Sequence, residues 1–202
     1  IAASLPNLRQ SNPTAYQEAN LRMGDVEFLR RNYPGAENYY TRAQEAGGRG
    51  TDYALYQLGT TAHRQERYPT AIQRWKQLVA SHPTSGLRDD ALLELSKVYF
   101  NFQHDAANSR AYAQQLLQQH PNSPLAPNAI LNLGIAARDQ NDAPEATRQF
   151  RRLLKEYPGE AELTPVALEQ LRGMLGQDEF GSVLAEFHRA SPNANAAPEG
   201  IS

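Results

Sequence analysis

The sequence predicts an all-α fold, a right-handed α-α superhelix of about ten helices in five antiparallel pairs. Three observations predict it. Aligning Gly24, Gly59, Ser96 and Gly134 brings the 202-residue chain into register, with spacings of 35, 37 and 38 residues. A proline recurs 24, 25 and 24 residues after the last three of these, at Pro83, Pro121 and Pro158. Between them, Leu55, Leu58 and Ala62, then Ile72, Trp75, Leu78 and Val79, keep the i, i+3, i+4, i+7 spacing of one apolar helix stripe. A period of this length marks a unit that buries its apolar face only by stacking on its neighbours.

Residues 1–12 carry Pro6, Asn7 and Asn12 with little periodicity and read as a lead-in segment. The repeat array is expected over 13–191, in units of about 17–50, 52–85, 89–123, 127–160 and a degenerate 163–191. Helices are expected over 14–31, 34–47, 52–66, 69–81, 87–103, 106–120, 125–140, 143–157, 163–175 and 178–190. In the first unit Gly24 is followed at 12 and 16 residues by Ala36 and Tyr40. The second and fourth repeat these offsets, with Gly59, Ala71 and Trp75, and with Gly134, Ala146 and Phe150. The small residues belong where two helices cross, because a larger side chain would force the axes apart, and the aromatics are expected to fill the opposite side of that contact. The third unit departs: Ser96 replaces glycine, Asn108 or Ser109 replaces alanine, and Ala113 takes the aromatic's place beside Tyr112. The fifth keeps only an apolar stripe of Leu168, Leu171, Leu175, Phe180, Val183 and Phe187, with Glu179, Glu186, His188 and Arg189 for a solvent-facing cap. The prolines stop the helices before them, since a fixed φ and a missing N–H cannot continue the ladder. Residues 192–202, PNANAAPEGIS, lack apolar anchors and are expected to be a disordered tail.

Composition removes several function classes. Twenty Lys and Arg against 22 Asp and Glu give a net charge of −2, with no stretch basic enough to follow a phosphate backbone. No apolar run reaches the roughly 18 residues of a membrane span. Without cysteine the chain has no disulfide framework, thiol nucleophile or cysteine-zinc site. It starts at Ile1 with no charged-then-apolar segment, which reads as a processed or excised piece of a longer protein.

ALYQLGTTAHRQERYPTAIQRWKQLVASHP (54–83) and AILNLGIAARDQNDAPEATRQFRRLLKEYP (129–158) resemble the tetratricopeptide repeat family, a solenoid whose period is about 34 residues. The links HPNSPLAPNAILNLG (120–134) and SHPTSGLRDDALLELSKVY (81–99) place a proline, a short polar bridge and then the next helix. They look like the repeats of bacterial cell-envelope proteins, the TolA-binding coordinator and the outer-membrane assembly lipoprotein. That resemblance implies a periplasmic or outer-membrane-associated protein, with the cytoplasm left open. It also implies a non-enzymatic scaffold holding a peptide or protein partner in a concave groove lined by the first helix of each pair.

The groove candidates are Tyr53, Tyr56, Thr60, His63 and Arg64 in the second unit, Asp90, Lys97, Phe100 and Asn101 in the third, and Asn128, Arg138 and Asp139 in the fourth. Tyr and Arg provide much contact area and hydrogen bonding per ordered rotamer. The competing readings are that Tyr53 or Tyr56 packs on the neighbouring unit and that the charged members are plain solvated surface. Co-chaperones of this superfamily clamp a chaperone's terminal carboxylate with Lys, Arg and Asn. Here the corresponding places hold Leu21, Asp25, Gln57, Asp90 and Glu94, which would repel it.

No catalytic constellation, metal site or cofactor is expected. His82 and His120 share a position before proline that Tyr157 takes in the next unit, which fits a helix-end role better than metal ligation. Asp89 and Asp90 open a helix, where the dipole favours negative charge. There is no phosphate loop, G-x-S-x-G or H-E-x-x-H. Two alternatives stay open: the helical superstructure of a larger enzyme, such as one acting on peptidoglycan, and a self-assembly module.

Overall fold

The computed structural model describes residues 5–191, so the expected disordered tail, 192–202, lies outside the described residues. Eleven helices and no strand occur among the described residues. They are α1 (Leu5–Ser11), α2 (Pro13–Leu29), α3 (Tyr33–Ala46), α4 (Thr51–Arg64), α5 (Tyr68–Ser81), α6 (Arg88–Asn101), α7 (Ala106–Gln119), α8 (Ala126–Asp139), α9 (Ala143–Glu156), α10 (Thr164–Met174) and α11 (Gln177–Ala190). The last ten match the ten expected helices to within two residues at each end. The first, α1, lies in the segment expected only to lead in, and it packs on α2.

Short polar residues start the helices. Asn12, Asn32, Asp105 and Asp142 each accept a hydrogen bond from the backbone N–H three residues on, at Ala15, Gly35, Asn108 and Glu145. Pro13, Pro34 and Pro144 occupy the first turns, where no N–H is missed. The turn inside a pair recurs too. Arg31, Glu66, His104 and Asn141 all adopt positive φ, between 51° and 62°. At the far ends of α5, α7 and α9, the N–H groups of His82, His120 and Tyr157 return to the carbonyls of Leu78, Leu116 and Leu153. The links that follow are built alike: the Ser85 and Ser123 N–H groups donate to the His82 and His120 carbonyls, and their hydroxyl oxygens accept from Leu87 and Leu125 N–H.

The chain divides into two compact units, residues 1–98 and 99–202. In the first, α2 packs on α3 and α4 on α5, while α3 also packs on α4. In the second, α8 packs on α9, α7 on α8, α9 on α10, and α11 on both α9 and α10. Consecutive helices joined by such short links run antiparallel. Tyr40, Trp75 and Phe150 are fully buried, and each burial contributes roughly 1.5–3 kcal/mol.

The small-residue rule operates differently from the expectation. The aromatic does not fill the far side of the helix crossing but lies directly on the glycine. A Cβ on Gly24 would sit 2.5 Å from Tyr40 Cε1, and one on Gly59 or Gly134 would collide with Trp75 Nε1 or Phe150 Cε1. The missing side chain is a seat for the ring sixteen residues on. In the third repeat Ser109, not Asn108, takes the buried alanine position, and both Ser96 and Ala113 are fully buried. Tyr112, beside Ala113, is stacked on Tyr99 with ring centroids 5.5 Å apart.

Candidate binding faces

In the first unit, α4 carries five of the expected partner residues. Tyr53 is committed within the protein: its hydroxyl donates to Asp25 Oδ1 at 2.9 Å, and Tyr40 donates to the same oxygen at 2.8 Å. Gln57 Nε2 in turn donates to the Tyr53 hydroxyl oxygen. Burial, aided by Asp25, pushes both phenols above their ordinary range. The Tyr53 hydroxyl thus reaches back to a carboxylate of the preceding repeat, with the ring half-buried. Thr60 is half-buried and donates to the Tyr56 carbonyl of its own helix.

Tyr56 is different. Burial, then Glu94 and Asp90, push its phenol up to about 12. Its side chain thus stands within the field of α6 carboxylates. Burial foremost, then Asp89 and Glu94, raise the Asp90 carboxyl above the ordinary carboxylate range. Two turns further along α4, His63 is held below its ordinary value by burial, opposed by Glu94 and aided by Arg64 and Lys97. His63 also meets Tyr68 edge-to-face at 5.6 Å. Lys97 donates to Glu94 at 2.8 Å, and Arg64 is exposed at the last turn of α4. The charges of Asp90 and Glu94 on α6 thus act on Tyr56 of α4, and those of Glu94 and Lys97 on His63.

The other candidates belong to the second unit. Phe100 is half-buried and Asn101 exposed at the end of α6. Asn128 is half-buried on α8, while Arg138 and Asp139 are exposed at its last turn. Arg138 bonds the Gln170 side chain of α10. No group of His, Asp or Glu able to hold a metal occurs among the described residues.

The profile of a family described as outer membrane lipoprotein, YfiO, matches residues 49–194. The chain belongs to this family. No helix among the described residues is long and apolar enough to cross a membrane. No curated protein matches the chain significantly. Among solved structures, MamA is similar at 16% identity over 92% of this chain and 97% of that one, with TM-score 0.69. BtubC from P. vanneervenii is similar at 14% identity over 99% and 90%, with TM-score 0.72. YrrB, described as a TPR protein with an unusual peptide-binding site, is similar at 16% identity over 95% and 92%, with TM-score 0.63. These likenesses establish the tetratricopeptide-type all-α fold of this lipoprotein-family chain.

Two residues outside the expected set shape the α4 face. Asp25 accepts from two tyrosines, and Glu94, paired with Lys97, acts through its charge on Tyr56 and His63. Asp25 follows Gly24 directly, so its place beside the Tyr40 ring was readable from the repeat. The pull of Tyr53 from 28 residues downstream had no local signal.

Proposed function

We propose that this chain is a non-catalytic scaffold of the cell envelope that holds a protein or peptide partner on the α4–α6 face of its first unit. The observation that carries the reading is the set formed by Tyr56, Asp90 and Glu94. The Asp90 and Glu94 carboxylates act electrostatically on the half-buried Tyr56 ring, and burial and mutual repulsion raise the Asp90 carboxyl, an acidic setting that a cation would relieve. Such a face suits a segment that presents Lys or Arg over the Tyr56 ring, a contact worth about 0.5–2 kcal/mol. It repels a terminal carboxylate, in keeping with the absence of the clamp residues.

Family membership supports an envelope setting, and the YrrB likeness supports peptide recognition on this fold. Arg138 on α8, in the second unit, is a separate candidate for partner contact. Pull-down from envelope extracts with the intact chain, Tyr56→Ala, Asp90→Lys and Arg138→Ala tests the reading. Partners lost with the first two variants support it; retention of every partner by all three removes the faces from consideration.

A further inference from the structure

We propose a second docking site on other elements, a groove between α9 and α11 that takes an acidic peptide segment bearing a large apolar side chain. The groove holds about 430 Å³, within the range of pockets that bury a ligand. Its floor is apolar: Leu154 from α9 meets Val183, Phe187 and Ala190 from α11. The α9 wall is cationic, with Arg151, Arg152 and Lys155 along it against the single carboxylate of Glu186.

These cations stand out from their surroundings, since residues 151–202 carry five basic and eight acidic side chains. Arg151 and Arg152 are tied to Glu179 and Glu156 by single ion pairs of 2.7 and 2.9 Å. One cation remains for a partner: Lys155 is exposed and has no carboxylate partner among the described residues. It offers its charge to a carboxylate, whereas the floor takes an apolar anchor. An acidic segment with a Leu or Phe satisfies both demands at once, and a basic segment satisfies only one. This site does not depend on the α4–α6 face.

Fluorescence anisotropy with the full chain tests it. The probe is a labelled seven-residue peptide of four glutamates flanking two leucines and a phenylalanine. The controls replace the glutamates by lysines or the apolar residues by serines. The expected result is at least tenfold tighter binding of the acidic apolar probe than of either control. Ala190→Trp, which fills the groove from an exposed position, and Lys155→Glu are each expected to weaken it at least tenfold. Their melting by circular dichroism should match the parent, and Tyr56→Ala should bind the probe normally. Should Ala190→Trp fail to fold, the exposed Lys155→Glu decides. Equal binding of acidic and basic peptides, or undiminished binding by Lys155→Glu, overturns the proposal. So does displacement of the probe by PNANAAPEGIS, which would give the groove to residues 192–202, or concentration-dependent dimerisation abolished by Ala190→Trp, which would give it to a second copy.

Discussion

The Cβ that Gly134 lacks decides whether the Phe150 ring can lie flat in its seat. Gly134→Ala is expected to cost about 1–3 kcal/mol by overpacking, because the atom it would meet is an aromatic carbon held on all sides. Combining it with Phe150→Leu should recover part of that loss, a negative coupling measured by a double-mutant cycle in urea. Additive losses would mean that the two residues do not share the seat. Two titratable residues give pH signatures of the α4–α6 face. Asp90 is raised, so its neutral form is favoured in the folded chain. The stabilisation exists below its ordinary pKa of 3.8 and turns into a penalty as the pH rises through the raised value. Asp90→Asn should therefore melt higher than the parent at pH 7 and match it near pH 3. Tyr56 is raised as well, so its proton is retained on folding. Stability held below pH 10 should fall as the pH approaches 12, and Tyr56→Phe should flatten that fall in alkaline denaturation curves.

Helices and their ends were the most legible level of the sequence. The stripe of Ile72, Trp75, Leu78 and Val79 is a local period, and Asn32, Asp105 and Asp142 form their caps from three residues away, so α3, α5, α7 and α9 follow from short windows. Asp142→Ala should cost about 1 kcal/mol and fray the start of α9, read by amide exchange at Glu145. Other features needed the third dimension. The helix α1 has too few apolar residues to announce itself. The fate of Tyr53 depends on Asp25, a full repeat away. The groove beside α9 arises where side chains of two elements fail to fill the space between them, and no sequence period records such a gap. The αL turns were hidden as well, because Glu66 and Arg31 stand where glycine would have marked them. Glu66→Gly should leave stability unchanged or raise it by up to about 1 kcal/mol, since it removes left-handed strain at the expense of chain entropy. A loss greater than that in thermal unfolding would show that the Glu66 side chain contributes more than the backbone strain costs.

The repeat period named the fold class of the molecule correctly, and the polar bridges after Pro83 and Pro121 pointed to the envelope lipoproteins whose family profile matches residues 49–194. The fold by itself carries no chemistry, so function at this scale rests on which faces stay half-open after packing. Site-specific photocrosslinking tests that claim most directly. A photoreactive residue is placed at half-buried Tyr56 on α4 or at exposed Lys76 on α5, in the intact chain within the cell envelope. The account predicts a discrete adduct from position 56 that disappears when Asp90→Lys is added, and none of that size from position 76. Adducts that form equally at both positions, or that survive the charge reversal, would contradict it.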